Sequence, residues 1–181
     1  MIKWKNTTYP STFIGLSDEL AKVRSMMSSD VYNENTEKYR GDQEHTIQSL
    51  GIFAELVARH IMENNKGVKY KAAPLIEKTP VVEADIVLEG VGELNYVDVK
   101  GIKSDGNALR VNFKAHNNTQ KKVTHYLFIQ PLNGLYARFC WFTHKDVSNF
   151  LLSVVMGFKI RNTKTQLNNE RTTKLLCYNK C

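Results

Sequence analysis

Residues Val81 to Lys100 read VVEADIVLEGVGELNYVDVK. Two alternating runs, Val81–Glu89 and Leu94–Lys100, flank the tetrapeptide Gly90-Val91-Gly92-Glu93. Alternation broken by a short glycine-containing segment is a β-hairpin signal. With that tetrapeptide as the loop, a length hairpins use, Glu89 pairs with Leu94, Val87 with Tyr96, Asp85 with Asp98 and Glu83 with Lys100. Side chains two apart on a strand share a face. Asp85, Asp98 and Lys100 therefore share one face, with the two aspartates opposed. Val82, Ala84, Ile86 and Leu88, with Val97 and Val99, make the core-facing set.

Like charges directly across a ladder destabilise it. A divalent cation between the carboxylates reverses the sign of that interaction. Mg²⁺ is usually held by one or two carboxylates together with waters and substrate phosphate. A lysine two residues beyond the second aspartate is placed to orient a water or stabilise developing charge. The local chemistry suggests metal-assisted attack on phosphate.

Upstream, the strongest helical pattern runs from about Asp42 to Asn64. Ile47, Leu50, Ala54, Val57, Ala58 and Ile61 make one stripe at helical spacing. Glu55 falls just outside it, on the flank carrying Gly51 and Ala58. Those small residues would let the helix lie close to a sheet and bring Glu55 to its edge. An earlier helix is expected from Ser17, as N-cap with Asp18 and Glu19 in the first turn, to about Ser28. Residues 1–16 read as loop or a short strand. The segment Asn64-Asn65-Lys66-Gly67 ends the second helix. Val68–Ala72 is a short strand, and Pro74 and Pro80 bracket a loop.

Downstream, Gly101–Asn107 reads as a turn and Ala108–Phe113 as extended. Lys114–Thr124 is basic and fits either helix or loop. His125–Gln130 is a buried-type strand, Pro131–Gly134 a turn, and Leu135–Phe142 the returning strand. Thr143, with Asp146 three residues on, forms a capping box for a helix to about Met156. Phe158–Arg161 and Lys174–Tyr178 are expected to form a terminal hairpin.

The chain of 181 residues is long enough for one domain with a real core. A net charge of +7 and an isoelectric point near 9.3 favour an anionic partner, nucleic acid before an acidic membrane surface. The cysteines, Cys140, Cys177 and Cys181, match no zinc or disulfide spacing and read as reduced thiols of a cytoplasmic protein. The N-terminus lacks the apolar core of a signal peptide. The longest apolar run, Phe150–Phe158, is too short to span a bilayer, so no membrane association is expected.

The order helix, three strands, variable segment, strand, with Glu55 in Gly51-Ile52-Phe53-Ala54-Glu55, then Asp85, then Asp98-x-Lys100, resembles the PD-(D/E)XK nuclease superfamily. The resemblance covers about residues 42–130. It departs from the family name at Ala84, which stands where the proline would be. It implies an α/β (α+β) fold with a restriction endonuclease-like αβββαβ core, a mixed central sheet flanked by helices, an N-terminal helix and a C-terminal strand and helix extension, all in one domain over residues 1–181. It implies catalytic roles for Glu55, Asp85, Asp98 and Lys100. Mg²⁺, with Mn²⁺ as a substitute, would be held by Asp85, Asp98, the Val99 carbonyl and Glu55. Lys100 would orient or activate the attacking water.

The implied activity is metal-dependent hydrolysis of phosphodiester bonds in DNA, as in a restriction-type endonuclease or a related phage or mobile-element nuclease, with RNA left open. Lys103, Arg110, Lys114, His116, Lys121 and Lys122 are expected to form a nucleic-acid-binding surface, giving salt-dependent binding. A homodimer would suit cutting both strands. The alternatives are a Holliday-junction or repair nuclease of the same fold, or a non-catalytic nucleic-acid-binding accessory protein. Gln130, at a strand end, is expected to satisfy a backbone group rather than join the site.

Overall fold

The computed structural model describes residues 2–29, 44–76, 84–90, 93–106, 108–150 and 173–176. The β-hairpin organises it, with the expected register. Strand β3 (Ile86–Glu89) runs antiparallel to β4 (Leu94–Gly101), with Glu89 opposite Leu94 and Val87 opposite Tyr96. The Gly90 amide closes the loop on the Glu93 carbonyl at 3.0 Å. β3 begins at Ile86, so Asp85 lies one position beyond the last ladder pair, Ile86 and Val97. Residues Val81–Glu83, and with them the expected Glu83–Lys100 pair, lie outside the described residues.

The hairpin sits in a mixed sheet with β1 (Lys5–Thr8), β2 (Lys69–Ala72), β6 (His125–Pro131) and β7 (Tyr136–Thr143). The strand order is β1-β7-β6-β4-β3-β2. All neighbours are antiparallel except β4 and β6, which run parallel. A second, two-stranded sheet pairs β5 (Ala108–Val111) with β8 (Thr173–Leu176). The fold is thus mixed α+β. The C-terminal strand partners β5 rather than the expected Phe158–Arg161, which falls outside the described residues.

Helix α2 (Glu44–Asn64) covers one face of the large sheet. Its Phe53, Ala54, Val57, Ala58 and Ile61 pack on Ile86, Val97, Val99, Leu127, Ile129 and Phe139. The other face meets a second cluster, in which Tyr126 and Phe128 pack with Leu109, Val111, Cys140 and Val147. β6 is therefore covered on both faces. That is why HYLFIQ is almost continuously apolar instead of alternating. Each such side chain, fully buried, contributes about 1.5–3 kcal/mol.

Helix α1 (Thr12–Ser29) packs outside α2 through Ala21 against Ile52 and Leu56. It begins five residues before the expected cap. Ser17 lies inside the helix and is buried, its hydroxyl donating to the Ile14 carbonyl at 2.8 Å. A serine whose hydroxyl bonds back into its own helix loses its value as a boundary marker. After α2 ends at Asn64, a turn closed by the Val68 amide on the Asn65 carbonyl at 3.2 Å places Gly67 at φ 91°, the left-handed region. The capping box is present: the Thr143 amide donates to Asp146 Oδ2 at 2.9 Å, and the Asp146 amide to Thr143 Oγ1 at 3.1 Å. It starts the helix over residues 144–150. Its expected continuation to Met156 is outside the described residues, as are Cys177 and Cys181.

The close approach of helix to sheet occurs at a different glycine from the one expected. A Cβ added at Gly51 meets nothing within 4 Å. One added at Gly101, at the end of β4, would lie 2.6 Å from the Leu50 carbonyl oxygen and 2.7 Å from Leu50 Cγ. Gly101→Ala must push α2 off the strand. It is expected to cost about 1–3 kcal/mol, the usual range for overpacking, read as a lowered urea midpoint with an unchanged slope. An unmoved midpoint would show that α2 does not depend on this contact.

Candidate active site

Asp98 is the centre of the site. It lies in β4 between Val97 and Val99, which belong to the core on the opposite face. It is only 3% exposed. Two ammonium groups hold it. Lys100 Nζ pairs with Oδ2, and Lys121 Nζ lies 2.5 Å from Oδ1. Burial alone would raise the Asp98 pKa, but Lys100 and Lys121 outweigh it and keep the carboxyl below its ordinary value. For Lys100, burial acts downward and the charges of Asp98, Asp85 and Glu55 outweigh it, so its pKa is raised. Lys100 is therefore an ammonium donor, not a ready base.

Asp85 is fixed by the early end of β3. Its backbone carbonyl accepts from the Ala73 amide at 2.9 Å. Its Oδ2 accepts from the Val99 amide at 2.6 Å, so a carboxylate takes the ladder bond a strand carbonyl would otherwise make. Burial and the Asp98 charge raise the Asp85 pKa, against Lys100, the Val99 amide and Lys121. Val99 itself is buried, its side chain in the main core.

Glu55 comes from α2. Burial and the Asp85 charge push its carboxyl up to about 7, against Arg24 and Arg59. Arg24, on α1, approaches Glu55 Oε1 at 3.4 Å and donates from Nε to the Leu75 carbonyl at 3.0 Å. Arg59 donates to the Ala73 carbonyl. Two arginines thus brace the segment after β2 while balancing Glu55. Glu55, Asp85, Asp98 and Lys100 are electrostatically in contact, although they come from three separate stretches of chain.

The expected nucleic-acid surface divides. Lys103, Arg110 and Lys122 are exposed, and Lys122 Nζ lies 5.8 Å from the Tyr96 ring centroid. Lys121 turns inward onto Asp98. His116 is a correction: it is buried, 5% exposed, with Nδ1 at 2.8 Å from Tyr126 Oη and Nε2 at 2.9 Å from Ser148 Oγ. Its ring stacks on His144 at 3.9 Å. It closes the short helix α3 (Phe113–His116), in which Lys114 also lies. Both ring nitrogens are engaged internally, so the imidazole does not face a phosphate.

Sequence reasoning placed Lys121 on the nucleic-acid surface rather than on Asp98, and missed Arg24 and Arg59 as partners of the acidic group. Lys121 and Asp98 are 23 positions apart, Arg24 and Glu55 31. No local pattern links them. Gln130 behaves as expected: its Nε2 donates to the carbonyls of Lys103 and Gly106 at 2.8 and 2.6 Å. Its Oε1 accepts from Arg138 Nε at 2.7 Å, so it orders the turn beyond β4.

Carboxylate oxygens suit a hard cation such as Mg²⁺. Among the described residues, no group of three or more His, Cys, Asp or Glu side chains is placed to hold a metal ion. The buried Asp98 and the half-buried Asp85, whose pKa the Asp98 charge raises, nonetheless fit a cation that keeps waters and takes further oxygens from substrate. Among the described residues no helix is long and apolar enough to cross a membrane. Comparison with protein-family models, with curated proteins and with solved structures finds no match to this chain.

Proposed function

We propose that the chain is a divalent-metal-dependent nuclease that hydrolyses phosphodiester bonds in DNA, with a PD-(D/E)XK-like core. The observation that carries this is the convergence of Glu55, Asp85, Asp98 and Lys100, with Asp98 buried, Asp85 half-buried and two lysines on Asp98. The order α2, β2, β3, β4, β6, with β4 and β6 parallel, supports the core assignment. The four-residue α3 and its following loop stand where that core has its second helix. The exposed Lys103, Arg110 and Lys122 and the net charge of +7 support an anionic polymer as substrate.

Asp85, Asp98, the Val99 carbonyl and Glu55 would hold Mg²⁺ or Mn²⁺. When bound, such an ion would supply Lewis-acid polarisation of the phosphate and a lowered pKa for an attacking water. Lys100, held protonated by three carboxylates, donates to the water or to a phosphate oxygen as negative charge develops there. Glu55 would complete the acidic site, directly or through a water on the cation. Lys103, Arg110 and Lys122 track the flanking backbone.

The test is cleavage of supercoiled and linear DNA with Mg²⁺, after chelation, and on restoring the ion. Chelation should abolish cleavage and the ion restore it. Lys100→Ala should lower the rate about 10²–10³-fold, the usual loss on removing one preorganised donor, with DNA affinity in the absence of metal retained. Cleavage that survives chelation, or equals wild type in Lys100→Ala, rejects the reading.

A further inference from the structure

Asp98 carries more positive charge than one catalytic lysine supplies. Lys100 lies two residues along the same strand, and its ammonium engages Oδ2. Lys121 arrives from the loop after α3 and engages Oδ1 at 2.5 Å. That loop is tied to β4 and to the helix over residues 144–150 at its C-terminal end, Thr124. The Thr124 amide donates to the Tyr96 carbonyl at 2.8 Å, and the His144 amide to the Thr124 carbonyl at 2.7 Å. The Lys121 amide makes a turn bond to the Asn118 carbonyl at 3.1 Å. The ammonium itself sits on a flexible four-carbon stem, with its side chain 21% exposed and a path to water.

An ammonium and a divalent cation cannot both occupy Oδ1. A phosphate oxygen is the natural alternative partner for Lys121, which binds phosphate as a point charge. The neighbouring Lys122 is exposed, so the same loop offers further positive charge to a passing backbone.

We propose that Lys121 is a counter-ion latch on Asp98: it occupies the cation's oxygen until a nucleic-acid phosphate draws it off, so that metal loading is coupled to DNA binding. This rests on the nuclease reading of the site. Nucleic acid tightens cation binding by releasing Asp98, and by linkage the cation tightens nucleic-acid binding equally. Lys121 is a positioning residue until released and a phosphate contact afterwards.

The experiment measures Mn²⁺ affinity of the DNA-free protein by the resonance signal of free Mn²⁺, alongside plasmid cleavage at saturating Mn²⁺. Wild type, Lys121→Met and Lys121→Arg are compared, with thermal melting to show that each is folded. Methionine keeps much of the apolar stem and removes the charge. If Asp98 is free of Lys121 for about a tenth of the time, removing the latch tightens Mn²⁺ about ten-fold. Lys121→Met should show that gain together with cleavage slowed at least about ten-fold. Lys121→Arg should keep the weak Mn²⁺ binding of wild type. A folded Lys121→Met protein with unchanged or weaker Mn²⁺ affinity, or with undiminished cleavage, overturns the latch while normal wild-type cleavage leaves the nuclease reading standing. Failure of the wild type both to bind Mn²⁺ and to cut DNA overturns both.

Discussion

Asp98→Asn is expected to lower Mg²⁺-dependent DNA cleavage by about 10³-fold or more while shifting thermal stability by only a few degrees. The two halves have different causes. Asparagine keeps the shape and one acceptor but loses the charge that both lysines and the cation share. A metal's stabilisation of phosphoryl charge is worth several kcal/mol, and each 1.36 kcal/mol is a decade in rate. Stability is protected because Lys100 keeps the charges of Asp85 and Glu55 beside it, and the Lys121 side chain is 21% exposed. The buried carboxylate also carries a desolvation cost of its own, which asparagine removes. These opposing terms leave a net change of about 1–2 kcal/mol at most. Parallel measurement of cleavage rate and melting temperature checks it. Loss of activity accompanied by global unfolding would show that Asp98 is a structural keystone rather than a ligand.

The hairpin was legible because its information is local. A glycine-containing loop and strict alternation fix register, and a slip by one would turn Val97 and Val99 out of the core. The same is true of α2, whose stripe has the helical period. The N-terminal boundary of α1 was not legible, because Ser17 before two acids looks like a cap whether or not the helix has already begun. The mixed six-stranded sheet follows from alternation and turn signals only in part. The place of β1 beside β7 and of β8 beside β5 depends on partners far away in sequence.

The site divides along the same line. Asp85, Asp98 and Lys100 follow from strand parity. Glu55 follows from its flank of the helix, although the close contact that seats the helix is at Gly101 rather than Gly51. Lys121 and His116 sit in a stretch with no period, where a basic composition says only that charge is present. One turns inward to an aspartate and the other stacks on a second histidine. Only the path of the chain decides such placements.

Glu55→Gln is expected to make the ion-free protein more stable above neutral pH and to weaken its cleavage about 10–100-fold. The native carboxyl titrates at about 7 because burial and Asp85 oppose its charge, against 4.5 ordinarily. Between those values the folded chain keeps a proton that the unfolded chain has lost. Stability therefore falls as pH rises from about 4.5 to about 7 and stays reduced above it. At 1.36 kcal/mol per unit, the shift corresponds to about 3 kcal/mol. The Glu55 side chain is 14% exposed, so solvent screening reduces this little. The raised pKa of Asp85 acts in the same direction. The depressed pKa of Asp98 acts in the opposite one, giving stability that is lost as pH falls through the acid range. Glutamine resembles the protonated acid and avoids the cost of charging a buried group. Arg24 retains its bond to the Leu75 carbonyl, so it is not stranded. At pH 4, below the unfolded value, the variant and wild type should have nearly equal unfolding free energies. At pH 8 the variant should be ahead by about 1–3 kcal/mol, which urea titrations at the two pH values resolve. Activity moves the other way, because a neutral amide does not complete the acidic group around the cation, and loss of a supporting ligand costs about 10–100-fold. A flat stability difference across that pH range would mean that Glu55 ionises in the fold as freely as in water, and with it the acidic site would lose its strained member.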